Sequence, residues 1–175
     1  VAGIEVHRVT DEAGAARCEE MYTEYVAWVF EKFRTVHGLD FPDADQAVVH
    51  GEFRAEYSKL FGDRGRMVLV TVDGAPAAVG ALKPLSHDGS ELKRIWVRPA
   101  FRGLGLARRV IEFLIEEARS LGYRTVQLNT LDFMADAHRL YRSAGFVDGP
   151  TYPGETARHA VDDHALYMSL DLGAS

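Results

Sequence analysis

The stretch Val97-Arg98-Pro99-Ala100-Phe101-Arg102-Gly103-Leu104-Gly105-Leu106-Ala107 joins a β-rich run, Glu91 to Val97, to the clearest helical pattern of the chain. Its loop carries two glycines, and the helix begins immediately after them. The first turn of a helix leaves backbone N–H groups unpaired, and its dipole places partial positive charge there. Glycines let an anion approach such a turn without a Cβ in the way, so a phosphate or pyrophosphate would fit. The spacing is not that of a P-loop, Gly-x-x-x-x-Gly-Lys-Ser/Thr. Nor is it the dinucleotide fingerprint Gly-x-Gly-x-x-Gly, because Arg108 stands at the last glycine's position. Nucleoside triphosphate and NAD readings are weakened accordingly.

Working outward, Ala107, Val110, Ile111, Leu114, Ala118 and Leu121 fall on one stripe of the helix, with Arg108, Arg109, Glu112, Glu116 and Arg119 largely off it. Gly122 stops it, Thr125 to Asn129 reads as a buried strand, Met134 to Ala144 as a helix ended by Gly145, and Ala165 to Leu170 as a closing strand. On the other side, Met67 to Val72 and Ala77 to Leu82 flank Asp73-Gly74-Ala75-Pro76, an antiparallel hairpin signal. Ile4 to Val9 alternates as a first strand, Thr10 or Asp11 is placed to cap a long helix that His37-Gly38 ends, and a second helix is expected from about Asp45 to Lys59. The order is βααβββαβα followed by one or two strands. That describes a single α/β domain over 1–175, with a mixed, mostly antiparallel sheet flanked by helices.

Composition agrees: 175 residues, 47% hydrophobic and 26% charged, can bury a core without disulfides or a structural metal. The one cysteine, Cys18, excludes an intramolecular disulfide and fits a reducing compartment. No apolar run approaches the roughly 20 residues a membrane span requires, and no basic-then-apolar leader pattern is seen, so a cytoplasmic location is expected. Net charge −6 argues against nucleic acid as a partner. Arginine outnumbers lysine 16 to 4, as in a GC-rich bacterial coding sequence.

Arg102-x-x-Gly105-x-Ala107, after a strand ending Val97-Arg98-Pro99, resembles the Arg/Gln-x-x-Gly-x-Gly/Ala signature of the GNAT superfamily of N-acetyltransferases. Ala137-x-x-Leu140-Tyr141-x-x-x-Gly145-Phe146 is similar to that family's following helix and the Gly-Phe that closes it, and the element order matches as well. The resemblance implies acetyl-CoA as co-substrate. Backbone groups of Ile95, Trp96 and Val97 would pair with the pantetheine arm, and Arg102, Gly103, Leu104, Gly105, Leu106 and Ala107 would cradle the pyrophosphate. The Val97 amide would face the thioester carbonyl where two central strands splay apart. Tyr141 aligns with the tyrosine that protonates the departing thiolate in many members, a sensible pairing since phenol and thiol pKa values, about 10 and 8.5, lie close together. Many members carry Asn seven residues earlier. Here that position is Met134, and Asn129 is the alternative amide.

An ammonium must lose a proton before it attacks, and Glu91, six residues before Val97, matches the family's strand glutamate that serves as base, often through water. Its plain alternative is a strand carboxylate neutralised by Lys93 or Arg94. The family's acceptor pocket is walled by the first two helices and the last hairpin. That assigns Trp28 and Phe30, which lie partly off the main stripe of the first helix, to substrate binding, along with Phe41 and the loop from Tyr152 to His164. Asp40, Asp43 and Asp45 could attract a cationic amine, though Asp43 and Asp45 read better as helix caps. His159, Asp162, Asp163 and His164 have metal-ligand residue types without a metal-site spacing, so no metal is expected. Without a Gly-x-Ser-x-Gly elbow, a hydrolase is not expected either. The reading is an N-acetyltransferase, monomeric or homodimeric, that acts by direct attack in a ternary complex on a small-molecule primary amine. The alternatives are a protein N-terminal or lysine acetyltransferase and a non-catalytic acyl-CoA-binding module.

Overall fold

The computed structural model describes residues 3–41, 46–152 and 159–173, with backbone alone for 46–50 and 159–160. Along the chain run β1 (Ile4–Arg8), α1 (Glu12–Lys32), α2 (Gln46–Ala55), α3 (Tyr57–Leu60), β2 (Arg66–Val72), β3 (Ala75–Pro84) and β4 (Gly89–Val97). Then follow α4 (Leu106–Ser120), β5 (Thr125–Leu131), α5 (Ala135–Ser143), β6 (Val147–Gly149), α6 (His159–Asp162) and β7 (Ala165–Asp171). Among the described residues, seven strands form one sheet in the order β1-β2-β3-β4-β5-β7-β6, with β4 and β5 parallel and every other neighbouring pair antiparallel. The expected α/β architecture and element order are therefore present. The second helix ends earlier than expected, at Ala55, and a separate turn of helix follows at 57–60.

Both faces of the central strands are covered, which is why β2 reads as an unbroken apolar run rather than an alternating one. Val68, Val70 and Val72 face a core shared with α4 (Val110, Ile111, Leu114), while Met67 and Leu69 face a second core with α1 and α2 (Met21, Phe53). The stripe read from the sequence is the buried side of α4. This helix packs close to β3 because residue 80 is glycine: a Cβ there would meet Val110 Cγ1 at 2.3 Å.

Helix α1 starts as its sequence requires, with the Asp11 carboxylate accepting from the Gly14 N–H at 2.7 Å. It ends in a wide π-helical turn, Phe33–His37, and Gly38 closes it in the left-handed conformation, φ 68°. Arg98, at the end of β4, clamps α1 to the sheet. Its guanidinium donates to Glu24 Oε1 at 2.7 Å and Glu20 Oε1 at 3.1 Å, and also to the Pro76 carbonyl at 3.0 Å.

Candidate functional site

Strands β4 and β5 pair only over Gly89–Thr125, Ser90–Val126 and Glu91–Gln127, then part. A cleft of about 1400 Å³ fills the gap, bounded by α1 on one face of the sheet and by α4 and α5 on the other. A β-bulge in β4 sits opposite Gly80, with Arg94 in the left-handed region at φ 58°. A side-chain-bearing residue is strained in that conformation, and such strain is concentrated at functional sites.

Beyond the bulge, the Arg98 N–H donates to the Ala77 carbonyl at 2.9 Å. Since successive residues of a strand point their backbone groups to opposite edges, the N–H and C=O of Val97 face the gap. The Arg102 side chain also reaches this edge. Its Nε lies 3.4 Å from the Val97 carbonyl, and its guanidinium lies 5.2 Å from the Trp96 ring centre.

At the mouth of the cleft, Gly103 and Gly105 have φ of 84° and 73°, and nothing lies within 4 Å of where either Cβ would be. Gly105 is the N-cap of α4; among the described residues no side chain caps this end, and its first turn holds Arg108 and Arg109 and no acidic residue. Uncapped N–H groups beside open glycine backbone can receive an anion. Arg102, Gly103, Gly105, Leu106 and Ala107 line the cleft; Leu104 points outward, 44% exposed.

Tyr141, from α5, also lines the cleft, with its ring edge-on to Phe146 at 5.9 Å. Burial pushes its phenol up to about 12. Across the gap stands Tyr25 of α1, likewise raised by burial first and then by the proximity of Tyr141 and Tyr22. Tyr25 carries no local signal in the sequence beyond its place on the apolar stripe of α1, and the juxtaposition with Tyr141 becomes visible only in the fold. Asn129 and Met134 line the same wall.

Glu91 sits where β4 and β5 separate, with a side chain only 2% exposed. Its Oε1 accepts from the Tyr152 hydroxyl at 2.8 Å, and its Oε2 lies 3.2 Å from Lys83 Nζ and 3.8 Å from Lys93 Nζ. Lys83, Lys93 and Arg94 converge in turn on Glu56, at 2.9, 3.0 and 2.6 Å. Burial works against ionising Glu56, but the three cations together hold its carboxyl down at about 2. Burial likewise lowers Lys93, against the pull of Glu91 and Glu56, whereas for Lys83 the two carboxylates prevail and its pKa is raised. The Arg94 guanidinium is packed between the rings of Tyr22 and Phe53, at 4.4 and 4.7 Å. Glu56 follows α2 directly and has no motif around it to mark it in the sequence.

The two aromatic residues assigned to the acceptor separate. Trp28 lines the cleft, 5.5 Å from Trp96 and 6.1 Å from Phe133 by ring centres. Phe30 is not in the cleft wall; its ring lies 5.0 Å from Phe41. Two helical positions differ by about 200°, so both could not share one face. Asp40 Oδ1 accepts from the Phe41 N–H at 3.1 Å, and Asp43 and Asp45 lie outside the described residues. Of the loop from Tyr152, residues 153–158 lie outside them too, and His164 pairs with Asp132 at 3.0 Å.

Residues 17–146 match the Acetyltransferase (GNAT) family. An uncharacterised N-acetyltransferase of Schizosaccharomyces pombe is 34% identical over 117 residues, 65% of this chain and 69% of that protein. The IAA acetyltransferase of Azospirillum brasilense is 34% identical over 109 residues, 61% of this chain and 68% of that protein. Among solved structures, a Salmonella typhimurium protein described with its cofactor acetyl-CoA superimposes with a TM-score of 0.68 at 19% identity, covering 97% of this chain and 94% of that one. At that identity the likeness speaks for the fold.

Proposed function

From the premise that the chain belongs to the GNAT acetyltransferase family and is an acetyl-CoA-dependent acyltransferase, we propose that it acetylates the primary amine of a small molecule, one domain binding donor and acceptor together. The observation that carries this reading is the parting of β4 and β5 after three paired residues, with the uncapped start of α4 at the mouth of the gap. An extended pantetheine arm can lie along the exposed edge of β4 and take up the backbone groups of Ile95 and Val97, whereas those of Trp96, expected from the sequence to join them, face β3 opposite Val79. The pyrophosphate then rests on the N–H groups from Gly103 to Ala107. Arg102, now on the Val97 carbonyl, exchanges that contact for the donor.

The amine attacks the thioester carbon, and charge builds on the carbonyl oxygen. The Val97 N–H on the open edge stabilises it, a kind of contact worth up to about 3 kcal/mol in comparable sites. Tyr141 then protonates the leaving sulfur. A phenol at about 12 is fully protonated at neutral pH, and the burial that raises it also raises a thiol placed beside it, so the two stay near one another.

Glu91 receives the amine proton through water, because its carboxylate is closed to direct contact. Lys83 and Lys93 stand beside Glu91, and both reach Glu56 together with Arg94, so the Glu91 carboxylate is held in place by a buried network of ion pairs. A small acceptor fits the aromatic wall of Tyr22, Tyr25 and Trp28 beneath α1. Titration calorimetry with acetyl-CoA, followed by release of free CoA over a panel of amines, tests the reading. Turnover on small amines supports it; binding without turnover on any amine, or turnover confined to peptides, overturns it.

A further inference from the structure

His37, Asp132 and His164 come from three distant parts of the chain. His37 closes the π-helical turn at the end of α1, Asp132 follows β5 directly, and His164 precedes β7. The Asp132 N–H donates to the His164 carbonyl at 2.9 Å, so backbone fixes two of the three against each other. His37 Nε2 lies 2.9 Å from Asp132 Oδ1, and His164 Nδ1 lies 3.0 Å from Asp132 Oδ2. The two imidazoles stack with centres 3.8 Å apart and planes 25° apart, so both nitrogens face the same carboxylate. One donor atom from each residue can be chosen such that all three lie within 4.8 Å of one another.

We propose that this trio binds a divalent transition-metal ion of the zinc type. Metal–ligand bonds of about 2.0–2.1 Å in a tetrahedron set ligand atoms roughly 3.3 Å apart; the two nitrogen–oxygen spacings here, one to each carboxylate oxygen, are a few tenths shorter, and the three ligand atoms fall within 4.8 Å of one another. Two imidazole nitrogens and one carboxylate oxygen are a borderline donor set suited to zinc, cobalt and nickel rather than to magnesium or calcium, with a fourth position for water. Phe33 and Phe133 hold the rings from the sides, at 5.7 Å from His164 and 6.1 Å from His37. The Asp132 side chain is 39% exposed and leaves an entry path.

The site lies outside the cleft, behind Phe133, which lines it. The ion therefore positions and does not react. It ties the end of α1, the helix that carries Tyr22, Tyr25 and Trp28, to the ends of β5 and β7. Cross-links of this kind fix the wall against which the acceptor packs.

The test uses untagged, metal-stripped full chain titrated with Zn²⁺ alone by calorimetry, and with Co²⁺ to read the visible absorption of a tetrahedral site. One ion per chain at micromolar affinity or tighter is expected, with at least about tenfold weaker binding and loss of the Co²⁺ bands in His37→Ala and in His164→Ala. Should either alanine variant fail to fold by circular dichroism, His37→Gln and His164→Asn, which keep a side chain of comparable reach, take its place. No saturable binding overturns the proposal, and so does stoichiometric binding that the histidine variants leave unchanged. Neither readout involves acetyl transfer, so failure here leaves the proposed reaction standing.

Discussion

Gly105 offers the sharpest test of the donor site, because the effects of strain and of charge there can be separated. Its φ of 73° is the left-handed conformation, so any side chain costs about 1–2 kcal/mol in the folded state, although nothing lies within 4 Å of a Cβ to obstruct it. Gly105→Gln and Gly105→Glu share that cost and nearly the same bulk, and they differ in one negative charge. If the pyrophosphate rests on this turn, the added carboxylate faces two negative charges at about 5 Å. At an effective dielectric of about 40, between surface and bulk values, each pair costs about 1.7 kcal/mol, roughly 3 kcal/mol together. That corresponds to an acetyl-CoA affinity about 200-fold weaker for Gly105→Glu than for Gly105→Gln, a ratio that shrinks as salt is raised. Calorimetry at two salt concentrations measures the ratio, and urea unfolding checks that the two variants are equally stable. Equal affinities for the two would refute the placement of the pyrophosphate at this helix start.

Three further outcomes follow from the cleft. Tyr141→Phe is expected to lower turnover by about 10- to 1000-fold while leaving acetyl-CoA affinity nearly unchanged; a Kd that rises in step with the loss would mean packing rather than proton donation. Glu91→Gln should lose more activity at pH 7 than at pH 9, where free amine is abundant, and a deficit equal at both values would remove the base role. For Glu56, whose carboxyl is held at about 2 against an ordinary 4.5, the stabilisation is complete above about pH 4.5 and is lost as pH falls toward 2. Glu56→Gln should therefore cost on the order of 2–3 kcal/mol at pH 7 and flatten the acid limb of the stability profile; an unchanged acid limb in urea melts taken from pH 7 to pH 3 would count against it.

The proposed donor end of the cleft is legible in outline because its structural determinants are local. The apolar stripe of α4 follows from a period of 3.6 residues, and Asp11 caps α1 through a contact three residues away. The hairpin between β2 and β3 is announced by its own turn, and Gly103 and Gly105 precede a helix start whose anion affinity belongs to the backbone. A family signature can be compact at such a site because side chains contribute little to it. The placement of β7 between β5 and β6 has no comparable trace, since it depends on pairing between segments that are not adjacent in sequence.

The proposed acceptor end is built in the opposite way, from side chains that single positions contribute and the tertiary fold gathers. Glu56 from the end of α2, Lys83 from β3 and Lys93 from β4 meet through sheet register, which sets Glu91 opposite Lys83. Tyr152 reaches Glu91 across 61 positions, and His37 reaches Asp132 across 95. No window along the sequence contains both members of either pair, and none of these residue types is unusual where it stands. Trp28 and Phe30 show the finer limit, since composition marks both as aromatic and only the rotation of α1 decides which one faces the cleft. On the proposed reading, donor recognition through backbone groups tolerates change in side chains, whereas each charge and ring at the other end of the cleft depends on a partner elsewhere. If acceptor choice rests with these gathered side chains, as proposed, variants at Glu56, Lys93 and Tyr25 should change acceptor preference while leaving acetyl-CoA affinity in place.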